Sequence, residues 1–306
     1  MSYVALFPGQ GSQYKGMCKS LLERNSSAAH VVQTASDVLG TDVLELLSKG
    51  TLQQLTSSEL AQPLVVAASV CYFQSLLEKQ GELPYAGIGH SLGELSSYVC
   101  AEAICLKEGL QFAKKRGELM ESAILKQKGN AGLAIDIELE KLEPIIVQLQ
   151  AEGGALMITG YNSRSQFIVA GDRQSLKQLD QHMEKLGAQF IPFRMVPMKA
   201  DAPYHSSFMQ FLQQDMEELV DQLTISAPWF PTLSTVTKSL VDDPAKIRVV
   251  LKDQLMTPVY WTQAIDHPLL HENLLFIDVG PNQIMHNLVL EHNYEKKCYA
   301  YDEMID

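Results

Sequence analysis

The chain has 306 residues, a length that fits one large domain or a main domain carrying an insertion. Apolar residues make up 46% and charged residues 20%, near globular averages, which excludes disordered and fibrous architectures. Lys and Arg total 24 against 36 Asp and Glu, and a net charge of -12 works against holding a polyanion on a broad basic surface, so nucleic acid is not an expected partner.

In chain order, Met1 to Gly9 has no cationic segment ahead of an apolar stretch and no small-residue cleavage site, so no cleaved leader is expected. Tyr3 to Phe7 predicts a buried opening strand that runs into the loop Pro8-Gly9-Gln10-Gly11-Ser12-Gln13, with a helix near Met17 to Arg24. Leu60 to Lys79 is apolar almost all round and carries Pro63 in its first turn, the pattern of a buried helix. Its apolar core, Leu64 to Phe73, is too short to span a bilayer, and no membrane partner is expected. Ala86 to Gly89 then predicts a short strand, a sharp turn and a helix from Glu94 to Cys100.

Between Gly129 and Pro197 the texture changes. Strand-like runs at Gly132 to Ile137 and Phe167 to Ala170, with a further candidate at Gln189 to Phe193, alternate with helix-like Leu139 to Glu152 and Gln174 to Leu186. This βαββαβ-like order predicts a small ferredoxin-like α+β subdomain at 129–197, inserted into a discontinuous, hydrolase-like α/β domain made of 1–128 and 198–306. A helical run from Phe208 to Leu219 and a late strand and turn at Phe276 to Pro281 complete the pattern, and alternating strands and helices predict a mostly parallel sheet. Cys18, Cys71, Cys100, Cys105 and Cys298 are scattered without C-x-x-C spacing, which fits free thiols in a reducing cytoplasm and gives no metal site.

The strongest chemical signal is Gly89-His90-Ser91-Leu92-Gly93, a G-x-S-x-G between strand and helix. Glycines on either side of a serine permit a strained turn that exposes Oγ and aims the next backbone N–H, here of Leu92, at a developing oxyanion. A serine hydroxyl needs a base within hydrogen-bond reach. Of the eight histidines, His205 stands out in the proline-bounded turn Ala202 to Ser207, although spacing alone does not select it. His182 and His292 lie in charged stretches and read as solvated, and His90 should point away from Ser91 because neighbours on an extended segment face opposite sides. By charge pattern alone, Phe112 to Glu118, with Lys114, Lys115 and Arg116, reads as a solvated helical face.

Taken together, Phe7 to Gln13, Gly89 to Glu94, Lys115-Arg116-Gly117, Tyr161-Asn162-Ser163, Pro203 to Ser206, Gln254-Leu255, Thr257 to Trp261 and Val279-Gly280-Pro281 resemble, in the same order, the motifs of malonyl-CoA:acyl-carrier-protein transacylases. That family includes free-standing acyltransferases serving polyketide synthases as well as the fatty-acid enzyme. The resemblance runs from residue 4 to about 290. It implies Ser91 as nucleophile and His205 as base, with His205 oriented by the backbone carbonyl of Gln254, so no acidic triad member is needed. It further implies an oxyanion hole from the N–H groups of Gln10 and Leu92, and pocket positions for Gln62 and Asn162. It also reverses the reading of Arg116, whose planar fork suits the free carboxylate of a malonyl group.

Tyr204 stands where many malonyl-selective relatives have phenylalanine, Thr235 where asparagine is frequent, and Asn282 where glycine is common; these positions bear on acyl selectivity rather than on reaction class. The reaction implied is ping-pong transfer of malonyl from malonyl-CoA to the phosphopantetheine thiol of an acyl carrier protein, by a cytoplasmic monomer with no bound cofactor and no metal. A proofreading acyl hydrolase would share Ser91 and His205 but has no need of Arg116, and a non-catalytic carrier-docking protein would need neither. Carrier proteins and coenzyme A are anionic, so attraction to this acidic chain must be local, with Lys114 to Arg116, Lys126, Lys128, Arg194 and Lys199 as candidates.

Overall fold

The computed structural model describes residues 2–24, 26–126, 128–196, 201–271 and 273–304. Pro197, at the expected subdomain boundary, and the candidate cation Lys199 lie outside the described residues. The strands in chain order are β1 (Tyr3–Phe7), β2 (Ala86–Gly89), β3 (Asn130–Ile135), β4 (Leu156–Tyr161), β5 (Gln166–Gly171), β6 (Gln189–Pro192), β7 (Thr232–Leu233), β8 (Leu240–Val241), β9 (Leu275–Asp278) and β10 (Cys298–Ala300).

These strands form two sheets. The larger has the order β10-β9-β1-β2-β7-β8 and is parallel except for the β7–β8 pair. Its central strand β1 is buried at every position, as a strand covered on both faces must be. The register pairs Phe7 with Gly89 and Leu6 with Asp278. The loop after β1, the turn after β2 and the loop after β9 therefore leave the same edge of the sheet. The carboxyl ends of parallel strands are where open α/β sheets place their ligands.

The helix Ser58–Gln80 packs on this sheet with Leu64, Val65, Tyr72 and Leu76 almost fully buried. It is long and apolar enough to cross a membrane, but 78% of that window is buried inside the protein, which makes it a core helix. The helix Leu106–Lys126 lies against it and buries Leu110, Phe112, Arg116 and Met120.

The second sheet is antiparallel, order β4-β5-β3-β6, with the helices Leu139–Ala151 and Arg173–Lys185 between its strands in the chain. One face buries Phe167, Val169 and Phe190 against Leu142, Leu149, Leu179 and Met183. The remaining strand of the βαββαβ order is β4, where a register shift between Ile158 and Gly160 interrupts the period-two alternation that marks a strand in sequence. Its edge is joined to the larger unit: Tyr161 N–H donates to Val259 O at 2.9 Å, Val259 N–H donates to Thr159 O at 2.9 Å, and the Tyr161 and Tyr260 rings stack at 5.2 Å.

Three expectations need correction. Pro63 lies inside the helix Ser58–Gln80 rather than in its first turn, because the helix begins at Ser58, ahead of Leu60. The run Phe208 to Leu219 is a 3-10 segment, Ser207–Leu212, followed by the α-helix Gln213–Asp221. His292 is buried rather than solvated, with Nε2 2.7 Å from Asp266 Oδ2, because it shares a face of the helix Ile284–His292 with Leu288 and Val289.

The helix Leu92–Cys100 is buried throughout and approaches β1 and β2 through glycines. A Cβ on Gly93 would stand 2.0 Å from Phe7 O, and one on Gly89 2.0 Å from Glu94 N, so no larger residue fits either position without moving the backbone. Gly93→Ala is expected to destabilise the fold by about 3 kcal/mol, read as a lower urea midpoint at unchanged m-value.

Candidate active site

The turn after β2 puts Ser91 at φ 52°, ψ -113°, a strained conformation for a residue with a side chain. The glycine spacing predicts such a strained turn, an elbow with Ser91 as its candidate nucleophile. Ser91 Oγ lies 2.7 Å from His205 Nε2. His205 also has a positive φ, 62°, and its Nδ1 lies 2.7 Å from the backbone carbonyl of Gln254. A carbonyl can only accept, so Nδ1 carries the proton and Nε2 is free to accept from the serine hydroxyl. The Gln254 side chain closes the ring, its Nε2 donating to Ser91 O at 2.9 Å.

Burial, then the positive charge of Arg116, push the His205 imidazole down from 6.5 to about 3, against the bond from Gln254, so the ring is neutral at ordinary pH. The Gln10 and Leu92 N–H groups have no acceptor among the described residues. Gln10 lies in the loop after β1 and Leu92 opens the helix after β2, both at the carboxyl edge of the large sheet. Gly9 allows the two loops to touch, since a Cβ there would lie 2.7 Å from His90 O.

Arg116 is 1% exposed. Its Nη1 donates to Gln62 Oε1 at 2.8 Å and to Met120 Sδ at 3.2 Å, and its Nη2 donates to Ser91 Oγ at 3.2 Å. Desolvation lowers it from 12.5 to about 10, which leaves it protonated at neutral pH. Gln62, fully buried, also reaches Gln10 Oε1 at 3.3 Å and Met120 Sδ at 2.9 Å. Arg116 hydrogen-bonds to no carboxylate among the described residues.

The structure thus brings Ser91, His205, Gln254, Arg116 and Gln62 into one connected set, with Gln10 beside it. Asn162 is one step removed, its Oδ1 3.0 Å from His90 Nε2 and its Nδ2 donating to Gln166 at 3.1 Å. The His90 ring lies 5.8 Å from the Trp261 ring. Lys114 and Lys115 pair with Glu59 and Glu118, and Lys126 sits over the Phe211 ring. Lys128 and Arg194 line a separate 540 Å³ cleft with Arg173, Asp172 and Asp201.

Three further residues take part: the sequence reading singles out neither Met120 nor Glu94, and it notes Tyr204 only as a selectivity position. Met120 lies one helical turn after Arg116 on the same face, and that i,i+4 spacing is the signal available for it. Glu94 is fully buried behind the elbow, accepting from Thr235 N–H at 2.5 Å, Thr235 Oγ1 at 2.6 Å and Ser234 Oγ at 3.2 Å. Burial pushes its carboxyl up to about 7 despite these donors. The Tyr204 hydroxyl donates to Met120 O at 2.6 Å, so it is anchored to the long helix.

The chain belongs to the acyl transferase domain family, which matches residues 4–300. It is 29% identical over 304 residues to the malonyl CoA-acyl carrier protein transacylase of Bacillus subtilis strain 168, covering 99% of this chain and 94% of that one. Its fold is similar to an acyl carrier protein S-malonyltransferase from Vibrio cholerae, TM-score 0.89 at 28% identity over 98% of this chain and 96% of that one. It also matches the structure of a type II PKS acyl-carrier protein in complex with its malonyl-transacylase, TM-score 0.88 at 26% identity, covering 98% and 96% of the two chains.

With His205 as its base, Ser91 acylation measured below donor saturation, where the free enzyme's groups titrate, should keep a level rate from about pH 8 down to about pH 5. Single-turnover acylation across that range checks it; an inflection near 6.5 would show an unshifted base. His205→Ala is expected to cut the rate roughly 10³-fold or more, whereas Gln254→Ala, which keeps the carbonyl, should retain most of it.

Proposed function

We propose that the protein transfers malonyl groups from malonyl-CoA to the phosphopantetheine thiol of an acyl carrier protein, in fatty-acid or polyketide synthesis, by a ping-pong mechanism through a malonyl-serine ester. The observation that carries this reading is the Arg116 guanidinium, buried beside the Ser91 hydroxyl with only neutral hydrogen-bond partners among the described residues. A buried cation whose hydrogen-bond partners are all neutral, with Glu94 acting on it only at longer range, is costly, and the free carboxylate of a malonyl group supplies a paired charge through a bidentate contact. An acyl hydrolase acting on uncharged acyl groups has no use for such a donor.

In the first half-reaction Ser91 Oγ attacks the thioester carbonyl and its proton passes to His205 Nε2. The carbonyl of Gln254 holds Nδ1–H and so stabilises the imidazolium, the part an acidic residue plays elsewhere. The Gln10 and Leu92 N–H groups receive the oxyanion. Collapse breaks the C–S bond, and the departing thiolate takes the proton from His205. In the second half-reaction the phosphopantetheine thiol gives its proton to His205, attacks the ester carbonyl and returns Ser91 to its hydroxyl form. Gln62 holds the guanidinium in place, while Asn162 acts through His90 at the rim of the elbow. None of these steps calls on a bound cofactor.

We take 1–128 and 198–306 as the large domain and 129–197 as the inserted subdomain, with the acyl site between them, in an enzyme that works as a cytoplasmic monomer. The bridge between β4 and Val259 supports this arrangement by tying the insertion to the segment that follows Gln254.

Intact-protein mass spectrometry after brief incubation with malonyl-CoA is expected to find a malonyl adduct that Ser91→Ala abolishes. Equal labelling by acetyl-CoA would overturn the substrate assignment. Arg116→Ala should lower malonyl transfer roughly 10²-fold without lowering acetyl transfer; an equal loss of both would refute the carboxylate role.

A further inference from the structure

We propose that the acyl group's own carboxylate releases the nucleophile: without substrate Arg116 restrains Ser91, and a carboxylate that claims the guanidinium frees it. The inference rests on the malonyl-transfer reading and adds to it an effect on the rate of attack, beyond an effect on binding.

The restraint is a hydrogen bond. Ser91 Oγ gives its proton toward His205 Nε2 at 2.7 Å and receives Arg116 Nη2–H at 3.2 Å. A cationic donor on that oxygen engages the lone pair that must attack the thioester carbon. The guanidinium is otherwise arranged to let go. Nη1 is held by Gln62 Oε1 and Met120 Sδ, while Nε is buried and has no hydrogen-bond partner among the described residues. Nε–H and one Nη2–H share an edge of the planar fork, the edge a carboxylate takes side-on. A carboxylate seated there satisfies the orphaned Nε and draws Nη2 off Ser91 in the same step.

The charges around the pair act in the same direction. Facing His205 are Arg116 from the helix Leu106–Lys126 and His90 from the turn after β2, and both oppose a positive charge on the ring. His90 is itself kept neutral by burial. Facing Arg116 are Glu94 from the helix Leu92–Cys100 and Tyr204 from the turn before His205. Of these groups Arg116 is the one a malonyl carboxylate neutralises, and its neutralisation eases formation of the imidazolium. An acetyl group brings no carboxylate, so it meets a serine still bonded to Arg116 and a base still opposed by its charge.

The test uses an uncharged fluorophosphonate ester as probe. Ser91 Oγ forms the O–P bond, the P–F bond breaks, fluoride leaves and the serine proton goes to His205. Labelling is compared in the wild type, Arg116→Gln and Arg116→Met, with folding checked by circular dichroism. Both neutral variants are expected to label about ten-fold faster, with the low-pH inflection of labelling moved upward. Unchanged or slower labelling in folded variants overturns the proposal and leaves malonyl transfer standing. Should neither variant fold, the wild type decides by single-turnover acylation at saturating donor. A maximal rate about ten-fold lower for acetyl-CoA than for malonyl-CoA supports release. Equal maximal rates with different half-saturation reduce Arg116 to a binding residue and overturn it. If malonyl-CoA does not acylate Ser91 at all, the transfer reading itself fails, while the labelling comparison still reports on the restraint.

Discussion

The structure turns on how closely the helix Leu92–Cys100 can approach β1. Neither Gly89 nor Gly93 has room for a Cβ, so the chain must reverse between them within a few residues, and Ser91 takes the strained backbone at φ 52°, ψ -113°. Such a conformation costs on the order of 1–3 kcal/mol and persists only where its surroundings over-determine it. Here the surroundings are visible. Glu94, on the first turn of the helix, binds Ser234 and Thr235 in the loop after β7. Thr235 O in turn accepts from Tyr260 N–H at 2.8 Å, and Val259 beside it joins the edge of β4. The elbow is thereby connected through buried hydrogen bonds to both sheets.

The second constraint is electrostatic. Arg116 is carried into the interior by the same helix face that buries Leu110, Phe112 and Met120, and it is left with neutral partners among the described residues. Burial and the Arg116 charge, which no carboxylate hydrogen-bonds among the described residues, lower the basicity of the His205 ring, which would be a poor design for the proposed general base acting alone. It becomes sensible where the substrate brings the opposite charge. In the proposed mechanism the same logic covers the lack of an acidic partner for His205 among the described residues, since the Gln254 carbonyl meets its Nδ1 without adding a charge that would compete with an acyl carboxylate for Arg116.

Much of this was legible in the sequence because the elbow is local chemistry. Strand, glycine, serine, glycine and helix follow one another within Ala86 to Cys100, and steric limits on the intervening turn hold in any fold. His205 was less legible, since nothing local says which strand end it will meet. The Lys114-Lys115-Arg116 run shows the limit most clearly. Composition treats the three cations alike, yet helix phase turns Lys114 and Lys115 toward Glu59 and Glu118 and turns Arg116 into the core. β4 escaped notice because its register shift breaks the alternation, and His292 misled because its charged neighbours in sequence are not its neighbours in space.

By itself, then, the sequence determined the strained turn at Ser91, the alternation of strands and helices and the family motifs, all of which depend on residues close together along the chain. Only the tertiary structure decided that Arg116 donates to Ser91, that Met120 and Gln62 share its other nitrogen, and that the Asn162 side chain meets His90. Apart from the i,i+4 contact of Met120, those contacts join residues far apart in sequence, and their geometry is set by how the two sheets and the long helices pack, which no local pattern encodes.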